Sequence, residues 1–188
     1  MKSRKIQFKT GTVIELSFAT VIPGKEAQVF SEYFPKVMPI VLELGGQPLG
    51  SFAISEAESR LGSPKMGALF QWPNLGVFKQ LHVDPRFLAI KGIRDDAMEF
   101  FSNGHFFVVQ EDTEVTFQED ENYVLMAHWQ GQDHSAKPEL LNFLTLATAP
   151  DQSYQPERIS ISRWEGVQHN NTRSNNTDIY KFTLNFPA

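Results

Sequence analysis

Residues 12–22 read TVIELSFATVI, and the alternation in this stretch decides how the rest of the chain is interpreted. Ile14, Leu16 and Phe18 fall on one face of an extended segment, because successive side chains of a β-strand point to opposite faces. The stretch therefore predicts a half-buried strand. The Pro-Gly pair at positions 23–24 ends it, since both residue types interrupt regular structure.

A helix is predicted from about residue 25 to residue 44, where apolar residues recur at steps of three and four. Pro35 and Pro39 lie inside this stretch, and each removes a backbone donor, so we expect a kink or two abutting helices. The glycine pair at positions 45–46 ends the helix, since glycine readily adopts the left-handed conformation that is common at helix C-termini.

The pattern continues with two strands, two short helices and a further strand. Asn74 is a cap for the first of these helices. The Asp-Pro pair at positions 84–85 begins the second, which carries Phe100 and Phe101 on its apolar face and ends at the Asn-Gly pair at positions 103–104. The predicted strands of this part are 47–57, 65–72 and 105–117, and the last is either continuous or broken near Asp112.

The pattern then restarts in the second part of the chain, but it stops early. Residues 122–130 predict a strand, and Pro138 opens a predicted helix that contains Leu140, Leu141 and Leu144. This part therefore offers about three strands and one helix. The two strands that follow the helix are predicted at 157–167 and 178–186.

The order strand, helix, strand, strand, helix, strand is that of the ferredoxin-like βαββαβ motif. Residues 33–46 and 84–107 resemble the two helices and the last strand of the dimeric α+β barrel superfamily. Within that superfamily the chain is most similar to the EthD-like and DUF1330-like proteins of unknown function. The resemblance covers about residues 12–118 and rests on spacing and a few residue types.

This resemblance implies an α+β fold, with an antiparallel sheet that carries its helices on one face. Residues 1–118 would form the ferredoxin-like unit, and residues 119–188 a truncated second βαββ unit packed on it. The other sheet face needs a second sheet, which either another chain or residues 119–188 supply. Because the truncated unit is short and an uncovered apolar sheet face is a liability, we predict a homodimer.

Composition excludes several classes of protein. The chain has 188 residues, no cysteine and a net charge of -5. The absence of cysteine excludes disulfide scaffolds, Cys-ligated metals and thiol nucleophiles, and it fits a cytoplasmic protein. An acidic chain argues against nucleic-acid binding, and no segment approaches the ~20 apolar residues of a membrane helix. The basic leader at residues 2–9 is either a solvated tail or a contact for an anionic partner.

No strong catalytic motif is present, so the candidate residues are single polar side chains. No two of the five histidines have the spacing of a helical metal site, and no metal or cofactor is predicted. His82, His105 and His128 either act as bases that face a cavity or make structural hydrogen bonds. Arg94 either binds a carboxylate ligand or pairs with a neighbouring acid. These four residues are the candidate catalytic set.

Four further residues are candidates for ligand binding. Tyr33 and Glu43 lie ten positions apart on the first helix, nearly three turns, and hence near one face. Either this phenol and carboxylate orient a phenolic or enolic substrate, or Tyr33 is a hydrogen-bonded interface residue and Glu43 is a surface residue. Trp72 and Trp129 either line a flat apolar pocket or pack in the core.

These residues leave three functional hypotheses open. The resemblance implies a small-molecule enzyme, of the cofactor-independent oxygenase or proton-transfer type, which accepts a hydrophobic, oxygenated compound in its barrel cavity. The alternative is a non-catalytic ligand-binding or dimerisation module. A third reading is haem chemistry with His82 or His128 as the axial ligand. A packed barrel without a cavity would argue against the first.

Overall fold

The computed structural model describes most of the chain, and strands dominate in it. Of the described residues, 51% lie in strands and 25% in helices. The residues described are 2–102, 104–119, 121–129, 140–146, 156–164 and 176–185.

Eleven strands and four helical segments follow one another along these residues. The strands are β1 (Ser3–Phe8), β2 (Val13–Val21), β3 (Gln47–Glu58), β4 (Met66–Trp72), β5 (Met98–Phe101), β6 (His105–Val108), β7 (Thr113–Gln118), β8 (Asn122–His128), β9 (Leu141–Thr145), β10 (Arg158–Arg163) and β11 (Thr177–Asn185). The helical segments are a π-helix (Gln28–Tyr33), α1 (Phe34–Glu43), α2 (Leu75–Val83) and α3 (Pro85–Asp95).

Eight of the strands close into an antiparallel barrel. Their order around the ring is β4, β3, β11, β8, β10, β9, β6 and β2, and β2 pairs back with β4. The short strand β5 pairs with β2 on the same side as β6, so these two strands share one edge of β2. A barrel of eight strands is just wide enough for side chains to fill its interior.

Aromatic side chains fill the barrel. Phe18 of β2 is fully buried, and its ring stacks on that of Tyr180 with the centroids 4.4 Å apart. The rings of Phe52 and Phe182 lie 4.9 Å apart in the same cluster. The separate two-stranded β1–β7 sheet packs on this cluster through four buried side chains, which are Ile6, Phe8, Val115 and Phe117. The interior of the barrel is therefore a packed core. The basic leader forms the paired strand β1, so the interpretation of the leader as a solvated tail is wrong.

The helices cover part of the outside of the barrel, over β2 and β4. A second apolar cluster joins Val13 and Trp72 of these strands to side chains of all four helical segments. Asn74 and Asp84 cap α2 and α3, as the sequence predicts: each side chain accepts a hydrogen bond from a backbone N–H, at 3.1 and 2.8 Å. The π-helix and α1 abut where the prolines of the first helix predict a break.

The predicted ferredoxin-like α+β fold of the dimeric α+β barrel type is wrong, because the described structure is mostly sheet and forms a closed eight-stranded barrel. The second part of the chain contributes four barrel strands, one more than predicted. The predicted helix after Pro138 is wrong where the structure describes it: Leu141 and Phe143 point inward from β9, while Asn142 is exposed. Leucines at 141 and 144 fit a helical spacing, but alternating burial is the period of a strand.

A second correction concerns Phe100 and Phe101, which were predicted on a helix and lie in β5. Helix α3 ends at Asp95, and the chain turns directly into pairing with β2. The described strands also close the barrel within one chain, so they do not need the second sheet that motivated a homodimer. The homodimer itself stays a prediction.

The two parts of the chain place their barrel strands in the same order. When the barrel strands of each part are numbered in chain order, their order around the ring is second, third, first, fourth in both parts. This order is β3–β4–β2–β6 in the first part and β9–β10–β8–β11 in the second. One apolar cluster draws on both parts. The division into domains at residue 118 stays a prediction.

In the part of the chain that the structure describes, no helix combines the length and the apolar character needed to cross a membrane.

Candidate functional site

A cavity of about 90 Å³ lies between the helices and the outer face of β2 and β4. Most of its wall is apolar, with Met38, Met66 and Met98 among the side chains. A volume of this size accepts several water molecules or a small organic molecule. Its polar side chains are Glu15, Ser17, Tyr33, His82 and Arg94.

Glu15 is the third residue of β2, on the face opposite to the barrel core. Its backbone neighbours across the sheet are Phe70 on β4 and Phe106 on β6. The helices cover this face, and the partly buried side chain of Glu15 places its carboxyl group on the wall of the cavity. The alternation of β2, which buries Ile14 and Leu16 in the barrel, is therefore what points Glu15 into the cavity.

The surroundings of Glu15 keep its carboxyl group near the point of half-protonation at neutral pH. Burial raises the pKa of Glu15 to about 7, although the Trp72 hydrogen bond and the charge of Arg94 both lower it. The Trp72 indole donates this bond from Nε1 to Oε2 over 2.9 Å. Among the described residues no other group hydrogen-bonds to this carboxyl, so Oε1 keeps its capacity to accept a hydrogen bond.

Arg94 lies beside this carboxyl group on the last turn of α3. Its guanidinium group stacks over the ring of Phe101 at 4.3 Å and lies 5.7 Å from the ring centroid of Tyr33. Nε and Nη2 both donate to Asp95, at 2.9 and 2.6 Å. Arg94 thus supplies positive charge to the cavity, while Asp95 accepts the hydrogen bonds of one edge of its guanidinium group.

Tyr33 reaches the cavity from the π-helix. Burial is the main cause that raises the pKa of its phenol, so the group stays protonated and can donate a hydrogen bond. The wide turn of the π-helix, in which the Phe34 N–H bonds to the carbonyl of Val29, buries both Val29 and Tyr33. The Gln28 side chain ties this turn to the carbonyl of Ile93 on α3 over 2.7 Å. Such π-helical turns occur often at functional sites.

His82 stands at the outer end of the cavity on α2. Its ring packs against those of Phe78 and Phe87, with centroids 4.5 and 5.1 Å away. Partial burial, together with the charges of Arg94 and Lys91, lowers the pKa of His82, so the imidazole is neutral at pH 7. The cavity of about 90 Å³ that it lines is much smaller than a haem group.

Two other candidate residues lie elsewhere. Glu43 is exposed at the end of α1 and forms an ion pair with Arg86 at 2.8 Å, so it does not join Tyr33. His105 is buried on β6, and its ring lies 6.2 Å from that of Phe18 in the barrel core.

The last two candidates lie at the end of β8, in the other part of the barrel. His128 is buried, with Nε2 2.9 Å from Oγ of Ser160. Trp129 packs under the guanidinium group of Arg60 at 4.2 Å. The structure thus brings Tyr33, Trp72, His82 and Arg94 to one cavity and leaves the other four candidates outside it.

Sequence reasoning missed Glu15, the most deeply placed acid of this site. A signal for it exists: Val13 and Ala19 are apolar and share its face of the strand. Both faces of this strand are therefore partly apolar, which indicates cover on both sides. A glutamate in a doubly covered strand is unusual enough to mark a candidate site.

Within the described ranges no three His, Asp or Glu side chains cluster as metal ligands. Comparison with family models, curated proteins and solved structures finds no match to this chain. The resemblance to EthD-like and DUF1330-like proteins gains no support from these comparisons.

Proposed function

We propose that the protein is a proton-transfer enzyme for small, uncharged, hydrophobic compounds that carry a carbonyl group, with Glu15 as its acid and base. The observation that carries this proposal is a carboxyl group with a pKa of about 7 on the wall of an apolar cavity. A catalytic acid or base works best when its pKa lies near the working pH, and burial is the usual means of raising a glutamate to that range.

The reaction would begin with the carboxylate form of Glu15. One of its oxygens takes a proton from the carbon next to the carbonyl group, and the electron pair of that C–H bond moves to form an enolate. The Tyr33 phenol, which stays protonated, can donate a hydrogen bond to the enolate oxygen, and Arg94 places positive charge nearby. Return of the proton from Glu15 completes the exchange. Groups fixed where charge develops stabilise such a transition state.

The hydrogen bonds that Arg94 makes to Asp95 favour an uncharged ligand. The Arg94 guanidinium group already donates twice to Asp95, so an anionic ligand would compete with that acid. An anion would also lie close to Glu15 and raise the cost of ionising it. The methionine-rich wall favours an apolar body of adaptable shape.

Deuterium exchange tests this proposal directly. We would incubate butanone and cyclopentanone with the protein in D2O and follow loss of the signal of the protons next to the carbonyl by NMR. The wild-type protein should accelerate exchange, and Glu15→Gln should lower the rate by about 10²-fold or more, as is typical for loss of an acid–base group. Glu43→Gln, which changes an exposed acid outside the cavity, is the matched control and should retain the rate. Equal rates for wild type and Glu15→Gln would overturn the proposal.

A non-catalytic binding module is the second candidate, favoured by the predominance of apolar side chains in the cavity wall. It predicts that the same ketones bind saturably, with ligand-induced shifts of cavity methyl signals, and that no exchange occurs. The homodimer and the cytoplasmic location remain predictions, which light scattering of the purified protein and fractionation of cells would test.

A further inference from the structure

Gly46 and Gly104 are among the described glycines whose backbone conformation does not require glycine. At the end of α1, Gly45 has φ of +84° and accounts for the left-handed helix terminus. Within the described residues the positive-φ glycines are Gly11, Gly24, Gly45 and Gly62, and neither Gly46 nor Gly104 is among them. The helix-stop reading of the sequence therefore explains Gly45 but leaves Gly46 and Gly104 unexplained.

Gly104 lies against the carboxyl group of Glu15. A Cβ atom added at Gly104 would come within 2.7 Å of Oε1 and 2.9 Å of Cγ of Glu15, which is closer than real side chains approach. Two residues earlier, Ser102 is held on β2, since its N–H donates to the Phe18 carbonyl and its Oγ accepts from the Phe18 N–H, both at 2.9 Å. The absence of a side chain at Gly104 thus leaves the space that the carboxyl group occupies.

Gly46 lies in the same way against Trp72. A Cβ atom added there would come within 2.6 Å of Cζ3 and 2.9 Å of Cε3 of the indole ring. The ring is 1% exposed, so it has no room to move outward. This is the indole whose Nε1 donates to Oε2 of Glu15. Gly46 therefore allows the six-membered ring of the indole to lie close to the backbone while its N–H donates to the carboxyl group.

We propose that Gly46 and Gly104 are positioning residues that hold the Glu15 carboxyl group at one orientation in its cavity, Gly104 by receiving Oε1 and Gly46 by seating the indole that binds Oε2. The assignment of a role in proton transfer rests on the proposed function of Glu15. The positioning itself depends only on contacts within the chain, so it can be tested without turnover.

A double-mutant cycle tests Gly104. Gly104→Ala should lower the melting temperature by about 4 °C or more, as overpacking of a filled site does. In a Glu15→Ala background, which removes the atoms that the new methyl group meets, the same substitution should have little effect. Gly92→Ala is the matched control, because a Cβ atom at Gly92 meets no other atom within 4 Å. An equal loss in both backgrounds would show that Gly104 serves the backbone alone and would overturn the proposal for it.

The indole N–H resonance of Trp72 reports on the carboxyl group itself. Glu15→Ala removes the acceptor and should move this resonance, and Gly104→Ala should move it in the same direction while the other two tryptophan resonances stay in place. Gly46→Ala should cause the same shift of the Trp72 indole N–H resonance. The loss of melting temperature that Gly46→Ala causes should be smaller in a Trp72→Phe background. An unchanged resonance in both glycine variants would overturn the positioning role. If ketone exchange is absent but these shifts occur, only the proposed reaction fails.

Discussion

The two faces of strand β2 differ in what they bury. Phe18 points into a barrel interior filled with aromatic rings, where it stacks on Tyr180. Glu15, three positions earlier, points the other way, into a cavity of about 90 Å³ beneath the helices. One face of the strand is thus built for packing, while the other leaves space and places a titratable group in it.

This difference follows from the covering elements. The barrel interior is closed by strands whose inward side chains interdigitate, so a void there costs stability. The outer face is covered by a π-helix and three α-helices, which meet the sheet as separate segments and leave a gap between them. A hydrophobic barrel cavity was the expected ligand site, whereas the cavity described here lies outside the barrel.

The largest effect on the free energy of unfolding is expected from a substitution on the barrel-facing side of β2. Phe18→Ala should destabilise the protein by about 3–5 kcal/mol, because the transfer energy of a buried ring is lost and a cavity remains. Met38→Ala, on the wall of the existing cavity, should cost less than half as much, since Met38 is only partly buried. Urea unfolding measures both. Equal losses would show that the two faces are packed alike.

The next effect is the dependence of stability on pH through Glu15. Its pKa rises from 4.5 to about 7 on folding, so the folded protein binds the proton more tightly than the unfolded chain. The stabilisation is full below pH 4.5 and is lost as the pH rises through 7, which amounts to about 3 kcal/mol. Glu15→Gln removes this dependence. The stabilities of the two proteins should therefore agree below pH 4.5, diverge between pH 4.5 and 7 in favour of the variant, and differ by a constant amount above pH 7. Parallel profiles would contradict the burial of this carboxyl.

A smaller effect is expected from Trp72→Phe, which keeps an aromatic ring and removes the N–H that donates to Glu15. This bond lowers the pKa of Glu15, so its loss should move the titration of Glu15 further above 7. The hydrogen bond to the carboxylate is worth about 1.5–3 kcal/mol, and the loss should appear mainly at alkaline pH. Phe70→Leu, on the neighbouring strand position, is the packing control. A downward shift of the titration would contradict the role assigned to the indole.

Most strands of the first part could be predicted from the sequence, because period-two burial and turn residues coincide there. Strands predicted at 47–57 and 65–72 are found at Gln47–Glu58 and Met66–Trp72. The α2 and α3 caps were also readable, since Asn74 and Asp84 satisfy helix N-termini by local hydrogen bonds. Closure of the barrel was not readable, because it depends on pairing between strands far apart in sequence, such as β3 with β11.

Four side chains of the site could be predicted from the sequence, whereas Glu15 could not, for a related reason. Tyr33, Trp72, His82 and Arg94 were singled out by residue type, and the fold brings them together from four different elements. Glu15 was passed over because the strand was interpreted as covered on one face, where a glutamate on the other face would meet solvent. The covering helices change that environment, and burial is the first cause of its raised pKa.

The smallest effect should come from the exposed pair of Glu43 and Arg86, which sharpens the contrast with Glu15. Arg86 donates to Glu43 at 2.8 Å and lowers the pKa of this carboxyl, but solvent screens the pair. Because the pKa of Glu43 is lowered in the folded protein, the contribution of the pair is present at neutral pH and is lost on acidification, opposite in sign to that of Glu15. Glu43→Gln should unfold at a urea midpoint indistinguishable from that of the wild-type protein at pH 7. A clear loss at pH 7 would mean that exposed acids of this chain matter as much as the one beneath the helices.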